Sequence, residues 1–405
     1  PACLRMTDAV VCRPRRWRAA DGAPPRGAPE PARASAPAAH QDPEYRRGVA
    51  VCLDHLGSGA LEKVVLSRCV DLPLPEGAAP SRVAEALLER LAIRDHLAAD
   101  VYCARDSRGR YWLGASPEVV ADVHDGCLMT LPLAGSLARR RVEDERRADH
   151  LLHASEKDLH EHELVVEHIG AALNGFVHDL DVPASPSLVA TDTMWHLGTR
   201  ITGQLPDGVS ALEAALRIHP TPAVCGRPAA EAARLIGELE GRSRQFYAGL
   251  VGWTDSTGDG RWSLVLRGAR IGEASVRVQA GAGIVPGSSP RAEHDETGAK
   301  LSTMLRQLRG LLPIAPGDAG HGRLSAPVRG RSSRSSRSSP APVPGGLGLV
   351  VLVPGDDGAQ EHLDPAQQGL PLDRPAAHAG GARCGHDDRP GGGLEDGSGV
   401  ETGDP

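Results

Sequence analysis

The chain has 405 residues, enough for one large or two ordinary domains, and its 45 Lys and Arg against 52 Asp and Glu give a net charge of −7, which argues against a general nucleic-acid binder. No apolar run approaches the roughly 20 residues of a membrane-spanning helix, so no membrane partner is expected. Eight scattered cysteines without a C-x-x-C pair favour a reduced, cytoplasmic protein over a zinc site or a disulfide framework.

Composition divides the chain into three parts. Residues 1–43 are rich in Arg, Ala and Pro without a sustained hydrophobic period, and we predict a disordered or unrelated segment there. Residues 44–312 carry the helix and strand patterns and are predicted to form the folded domain. Residues 313–405 are rich in Pro, Gly, Ser and Arg and are predicted to be a disordered tail. The RSSRSSRSS tract at 331–339 could contact RNA, but without aromatic residues it is more typical of a solvated tail.

The middle part contains runs of strands and runs of helices. Helical patterns cover residues 44–55, 81–94, 142–173, 210–218 and 229–239, and a last helix follows Pro290. Strand patterns cover residues 62–72, 101–105, 111–115, 119–123, 127–133, 187–191, 199–204, 247–254, 262–271 and 275–280. Because strands and helices do not alternate as βαβ units, the order predicts an α+β fold with largely antiparallel sheet.

The longest predicted helix runs from Val142 to Leu173. One apolar stripe recurs every seven residues, at Leu152, Leu159, Val166 and Leu173. A second stripe on another face contains Ala154, Glu161, Val165 and Ala172. Glu161 therefore lies among small and apolar side chains, not on an obviously solvated face.

Two acids on the last helix form a candidate cation site. Glu293 and Glu296 stand three residues apart, so they share one helix face. Two neighbouring carboxylates repel each other unless a cation lies between them, and oxygen ligands suit a hard metal such as Mg²⁺. The alternative is an acidic first turn that complements the helix dipole.

Two further residues could carry acid–base chemistry. Lys63 begins an apolar strand, and an inward-pointing lysine there has a lowered pKa and can act as a base; the alternative is an edge-strand lysine that prevents aggregation. Glu118 ends the turn Gly114-Ala115-Ser116-Pro117-Glu118. It could be a general acid with a raised pKa, although an isolated carboxylate of this kind is more often a turn residue.

Histidine and arginine residues supply candidate ligand contacts. The HEH sequence at 160–162 has no H-E-x-x-H frame, so zinc is not expected. His196 could hydrogen-bond a ligand or be a structural histidine. Arg267 follows a buried-looking strand, where its guanidinium needs either a ligand carboxylate or an internal salt bridge.

Nine motifs in order resemble the chorismate-utilising enzymes, and among them isochorismate synthases of the siderophore type. They cover roughly residues 48–312 and read KVVLSR (63–68), GASPE (114–118), PLAGS-x-ARR (132–140), SEKDLHEHELV (155–165), WHLGT (195–199), HPTPAVCG (219–226), FYAGLVGW (246–253), LRGARI (266–271) and AGAGIVPGSSP-x-AE-x-x-ET-x-x-K (280–300). The resemblance implies one α+β chorismate-binding catalytic domain with two central antiparallel sheets flanked by helices.

The resemblance also implies an activity, the Mg²⁺-dependent exchange of the C4 hydroxyl of chorismate for a water-derived hydroxyl at C2. Lys63 matches the base that activates water, and Glu118 matches the acid that protonates the departing hydroxyl. Glu161, Glu293 and Glu296 match metal ligands. The positions that match substrate-binding residues are His196, Ala223, Arg267, Gly281, Ala282, Gly283 and Lys300. A monomer with chorismate as its partner is expected.

Departures from the family leave two alternatives open. Lys63 has far fewer residues before it than is usual in the family, so part of the N-terminal sheet is expected to be missing, and the chain could be a truncated, non-catalytic remnant. Salicylate synthase, which forms isochorismate and then eliminates pyruvate, is the second alternative.

Overall fold

The computed structural model describes residues 42–93, 99–191, 193–312 and 350–352. The helices in these residues are α1 (Pro43–Gly57), α2 (Pro80–Ile93), α3 (Glu145–His153), α4 (Glu156–Leu173), α5 (Ala211–Ile218), α6 (Ala229–Glu240) and α7 (Pro290–Leu308). The strands are β1 (Lys63–Pro73), β2 (Asp100–Arg105), β3 (Tyr111–Ser116), β4 (Val119–His124), β5 (Cys127–Leu131), β6 (Leu133–Ala138), β7 (His178–Asp181), β8 (Ser187–Ala190), β9 (Met194–Gly198), β10 (Ile201–Gln204), β11 (Gly226–Arg227), β12 (Leu250–Thr254), β13 (Gly260–Leu264), β14 (Gly268–Ile271), β15 (Ser275–Ile284) and β16 (Val350–Leu352).

The strands form two large sheets and one small one. Strand order is β11-β1-β15-β14-β3-β2 in a six-stranded sheet, β16-β12-β13-β4-β5-β10-β7 in a seven-stranded sheet and β6-β9-β8 in a three-stranded sheet. Each of these strand pairs is antiparallel. The predicted α+β class with two central antiparallel sheets is confirmed, and the three-stranded sheet is an addition to it.

Strand β1 separates a helix-covered layer from the interior between the sheets. Its even-numbered residues, such as Val64 and Leu66, are buried in an apolar cluster with residues of α1 and α6. Further along, Val70 and Leu72 pack with residues of α2 and α7. Because side chains alternate along a strand, the odd-numbered residues, beginning with Lys63, face the opposite side.

The second large core lies on the seven-stranded sheet. Val165 and Ile169 of α4 and Ala214 and Ile218 of α5 pack against Trp262 and other buried sheet residues. Burying each large apolar side chain of this kind contributes about 1.5–3 kcal/mol before conformational entropy is counted. This cluster fixes α4 on the sheet, and α4 carries Glu161.

The single long helix predicted from Val142 to Leu173 is wrong. The chain forms α3 and α4 instead, with a break at Ala154 and Ser155. The Ser155 side chain accepts a hydrogen bond from the backbone N–H of Asp158 and so caps a new helix. The apolar heptads continue across this break, so their spacing alone did not reveal it.

The single strand predicted over residues 262–271 is also interrupted. Strand β13 ends at Leu264 and β14 begins at Gly268, and Arg267 between them has φ 47°. A non-glycine residue rarely adopts this left-handed conformation. The turn moves the chain from the seven-stranded sheet to the six-stranded one, so that Arg267 lies where the two sheets meet.

Two features concern the ends of the chain and membranes. Within the predicted tail, β16 pairs with β12 and forms one edge of the seven-stranded sheet. The rest of that tail and the predicted N-terminal segment lie outside the described residues. None of the helices described is long and apolar enough to cross a membrane. The three-part division of the chain stays a prediction.

Candidate active site

A cavity of about 630 Å³ that opens to solvent lies between the strands described above. Residues of β1, β6, β9 and β15 and of helices α4 and α7 line it. The structure brings most of the predicted site residues to its wall, namely Glu118, Glu161, His196, Ala223, Arg267, Gly281, Gly283 and Lys300. Lys63, Ala282, Glu293 and Glu296 do not line it.

Lys63 lies behind Glu161 and is fully buried. Its Nζ is 3.2 Å from Glu161 Oε1 and 3.4 Å from the Glu161 carbonyl oxygen. Burial lowers the pKa of the ammonium, although Glu161 opposes the shift. An inward-pointing lysine was one of the two possibilities left open by the sequence, and this is the position that the structure shows; an exposed edge lysine is excluded.

Glu118 lies on the cavity wall and is 5% exposed. Burial raises the pKa of its carboxyl to about 7, against the opposing effects of a hydrogen bond from the Leu133 backbone and of the cations Lys63, Lys300 and Arg267. A carboxyl with a pKa near neutrality is half protonated at pH 7 and can donate a proton.

Arg267 and His196 form a second polar group on the wall. Arg267 Nη2 is 3.4 Å from His196 Nε2, and Ser136 Oγ is 2.8 Å from His196 Nδ1. Burial, with Arg267 and Lys300 nearby, holds the pKa of His196 well below its ordinary value, so the imidazole is neutral. No ion pair to Arg267 occurs among the described residues, which favours an external anion over the internal salt bridge.

The glycines of β15 leave both space and free backbone groups. A Cβ on Gly283 would clash with Glu161 Oε1, so any larger residue there must displace that carboxylate. Strand β14 pairs with β15 only at Val276–Val278, and Lys300 Nζ donates to the Gly281 carbonyl oxygen at 3.2 Å. Because the N–H and C=O of one strand residue leave on the same side, the Gly281 N–H also faces this edge.

Ala282 takes the opposite orientation within the same strand. It is 1% exposed and does not line the cavity. Its neighbours Gly281 and Gly283 line the cavity because side-chain direction alternates along β15. Because backbone groups also alternate along a strand, the N–H and C=O of Ala282 face β1, its pairing partner.

Lysines neutralise the three glutamates that were predicted to bind metal. Glu161 contacts Lys63, and its other oxygen lies 3.8 Å from Lys157 Nζ. Glu293 Oε1 is 3.1 Å from Lys157 Nζ, and Glu296 Oε1 is 2.7 Å from Lys300 Nζ. Burial opposes ionisation of Glu161, but the neighbouring lysines hold its pKa below the ordinary value.

Glu293 retains unused ligand capacity. It is 1% exposed, and its polar neighbours are the Lys157 ammonium and the Ser288 side chain, although neither makes a well-aligned hydrogen bond to its carboxylate oxygens. Burial and Glu296 raise the pKa of Glu293 to about 7. Buried carboxylate oxygens without a well-aligned hydrogen bond fit a hard cation such as Mg²⁺. With the lysines in place, however, no three His, Cys, Asp or Glu side chains of the described residues are arranged to hold a metal.

The HEH sequence places its two histidines on different sides of α4. His162 Nε2 lies 2.7 Å from Thr199 Oγ1, and burial lowers its pKa to about 4. His160 is exposed on α4. The two histidines thus lie in different environments, one in the interior and one on the surface.

Several residues at the site had no role predicted from the sequence. Ser136 and Tyr247 line the cavity; they lie in the motifs PLAGS and FYAGLVGW, but no function was predicted for them. Lys157 joins Glu161 to Glu293. A signal for Lys157 was present in the sequence, because Lys63, Lys157 and Lys300 are the only lysines among 45 Lys and Arg residues.

The guanidinium of Arg244 stabilises the cavity wall from its outer side. Arg244 donates to the carbonyl oxygens of Val65 and Val224 and pairs with Glu240 at 2.6 Å. Glu240 in turn accepts hydrogen bonds from the Ser67 backbone and hydroxyl. Because Val65 and Val224 line the cavity, this buried pair holds the spacing between β1 and the segment before β11.

Comparison with known proteins gives consistent matches. The sequence model of a family described as "Chorismate binding enzyme" matches residues 13–309. The chain is 44% identical over 269 residues to isochorismate synthase DhbC of Bacillus subtilis, covering 65% of this chain and 67% of DhbC. It is 39% identical over 265 residues to the vibriobactin-specific isochorismate synthase of Vibrio cholerae, covering 65% and 66%.

A solved structure gives the same result at the level of the fold. The menaquinone-specific isochorismate synthase MenF of Escherichia coli matches with a TM-score of 0.57 and 30% identity, over 66% of this chain and 61% of MenF. The chain thus spans about two thirds of the length of the curated relatives that it matches.

The contact between Gly283 and Glu161 generates a stability prediction. Gly283→Ala should lower the free energy of unfolding by about 1–3 kcal/mol, the usual cost of overpacking, because the new Cβ displaces the carboxylate that pairs with Lys63. Gly237→Ala is the control: no heavy atom lies within 4 Å of that Cβ inside α6, so it should stabilise by about 1 kcal/mol. Urea unfolding measures both. Equal effects of the two variants would contradict the close packing at Gly283.

Proposed function

The chain belongs to the family of chorismate-binding enzymes, and from this membership we propose that it is an isochorismate synthase. It would convert chorismate to isochorismate by adding a water-derived hydroxyl at C2 and removing the hydroxyl at C4. One observation carries the proposal most directly. A buried lysine with a lowered pKa and a buried glutamic acid with a raised pKa belong to the same site.

The charges at the cavity suit a small dianion. Arg267 has no ion pair among the described residues, Lys300 projects from α7, and the Gly281 N–H faces an edge of β15 that β14 does not cover there. A guanidinium, an ammonium and exposed backbone N–H groups are suitable partners for carboxylates. We assign one carboxylate of chorismate to Arg267 and the glycine edge, with His196 and Ala223 lining the site.

The acid and the base act on different oxygen atoms. Lys63 accepts a proton from water as the water oxygen forms its bond to C2. The ring double bonds shift, the C4–O bond breaks, and Glu118 donates its proton to the departing hydroxyl, which leaves as water. One water enters and one leaves, so the net change is an isomerisation. Groups with opposed pKa shifts are suited to such paired roles.

Glu161 lies between Lys63 and the cavity. Lys63 can therefore reach a water molecule in the cavity only when the Glu161 side chain moves. Hydrogen bonds of catalytic groups are often incomplete in ligand-free structures and form only with substrate. We therefore retain Lys63 as the base.

The proposal includes Mg²⁺. Glu161, Glu293 and Glu296 would hold it, and when bound the ion supplies positive charge for a substrate carboxylate. Without a bound cation, these three carboxylates offer nothing that attracts a substrate carboxylate. Replacement of Glu161 by Gln should therefore weaken metal binding, whereas loss of Arg267 should weaken substrate binding.

The pathway is proposed from sequence similarity. Identity is 44% to DhbC and 39% to the vibriobactin-specific relative. We propose that the isochorismate feeds a catecholate or salicylate siderophore and that the protein acts as a cytoplasmic monomer.

Product analysis tests the activity. Purified protein incubated with chorismate and Mg²⁺ should yield isochorismate without stoichiometric pyruvate, and exhaustive EDTA treatment should abolish the reaction. Salicylate together with pyruvate would identify a salicylate synthase. No product, combined with no rise in melting temperature on adding chorismate and Mg²⁺, would identify a non-catalytic remnant.

Substitution of the acid–base pair tests the mechanism. Lys63→Ala and Glu118→Gln should each lower kcat by about 10²-fold or more, the usual contribution of general acid or base catalysis. The dissociation constant for chorismate should change little, because Arg267 and Lys300 remain. Stopped assays and equilibrium binding measure the two quantities. Near-wild-type turnover of Lys63→Ala would remove the lysine from the mechanism.

The pKa of Glu118 predicts a pH profile. The carboxyl must be protonated to donate, so kcat/KM should fall as pH rises through about 7, the pKa to which burial raises this group. Lys63 must be neutral, so the rate should fall at the acidic end. In Glu118→Gln the alkaline decrease should disappear from the residual activity, because glutamine does not titrate. An unchanged alkaline decrease would assign it to another group.

A further inference from the structure

The three lysines of the chain all lie at the same group of carboxylates. Lys63, Lys157 and Lys300 are the only lysines among the 45 Lys and Arg residues of the sequence. Elsewhere the chain uses arginine for a positive charge, as in the ion pairs of Arg227, Arg234 and Arg277. Where lysine stands, the compact ammonium itself is therefore the feature required. The proposed mechanism gives roles to Lys63 and Lys300 but none to Lys157.

Lys157 occupies the space between two proposed metal ligands. Its Nζ lies 3.1 Å from Glu293 Oε1 and 3.8 Å from both Glu161 Oε2 and Asp158 Oδ1. The group is thus a cation held by the carboxylates that would hold Mg²⁺.

The position of Lys157 in its own helix is unfavourable. It stands in the first turn of α4, whose N-cap is Ser155. A positive charge near a helix N-terminus opposes the helix dipole at a cost of about 0.3–1 kcal/mol. Local helix energetics therefore do not explain the residue, whereas the contact with Glu293 on α7 does.

A metal ion held by Glu161 and Glu293 could not occupy this space together with the Lys157 ammonium. Two positive charges so close would repel each other, and the oxygens of Glu293 would be shared. The side chain of Lys157 is 24% exposed, so its flexible stem can carry the ammonium to solvent without crossing the core.

We propose that Lys157 is the resident counter-cation of the metal site. In the metal-free protein its ammonium neutralises Glu161 and Glu293, and a divalent cation displaces it toward solvent. The proposal rests on the proposed function for the identity of the metal site. It makes Lys157 a positioning residue that keeps the carboxylates together before the metal arrives.

Lysine labelling in the intact protein tests the displacement. Wild-type protein is treated briefly with acetic anhydride at constant ionic strength, in MgCl₂ or in NaCl, and labelling of each lysine is measured by mass spectrometry after digestion. We expect faster labelling of Lys157 in MgCl₂, while the fully buried Lys63 stays unlabelled in both. Unchanged or slower labelling of Lys157 at a Mg²⁺ concentration that calorimetry shows to be saturating would overturn the proposal and leave the proposed function intact.

Metal affinity gives an independent measurement. Lys157→Met should lower the dissociation constant for Mg²⁺ about tenfold, the factor expected if the ammonium occupies the site nine-tenths of the time. Arg141→Met is the matched control, because it removes an ion pair to Asp295 on the surface of α7 and should leave the constant unchanged. Weaker or equal binding by Lys157→Met would overturn the proposal. No Mg²⁺ binding by the wild type would overturn both this proposal and the metal assignment.

Discussion

The buried ion pair between Lys63 and Glu161 is the interaction on which the site depends. Its two charges, 3.2 Å apart, lie on different elements, β1 and α4. Removing Glu161 would leave the buried Lys63 ammonium without its carboxylate, which destabilises a protein far more than the pair itself stabilises it. Glycine at position 283 is a consequence, because the carboxylate occupies the space of a Cβ. The apolar core on the seven-stranded sheet fixes α4 and so keeps Glu161 opposite Lys63.

Around this pair the fold distributes charge so that each acid has a nearby cation. Lys157 serves Glu161 and Glu293, and Lys300 serves Glu296. Arg267 is different, since its neighbour is the neutral His196. The site thus combines a neutralised group of carboxylates on one side with a guanidinium on the other that has no ion pair among the described residues.

The sequence predicted the fold class and most elements because strand alternation and helix capping are local. It failed where tertiary packing decides. The break at Ser155 interrupts heptads that remain regular, and the turn at Arg267 depends on the meeting of two sheets. Glu118 and Arg267 were identifiable from motifs, but whether they were buried or paired was not. The contact between Lys157 and Glu293 joins residues far apart in sequence, and only the rarity of lysine in this chain pointed to it.

The alternation along β1 has a consequence for insertions and deletions. Lys63 and Val65 face the cavity side, while Val64 and Leu66 lie in the apolar layer beneath α1 and α6. Deletion of one residue from this half of the strand would exchange the two faces if the rest of β1 kept its ten-residue pairing with β15. The ammonium would then lie among aliphatic side chains without a carboxylate, and the carboxylate of Glu62 would take its position beside Glu161. Insertions and deletions compatible with this site are therefore confined to loops, such as the one between β1 and α2. Within the strand, a change of two residues keeps each side chain on its own face of the sheet, whereas a change of one does not.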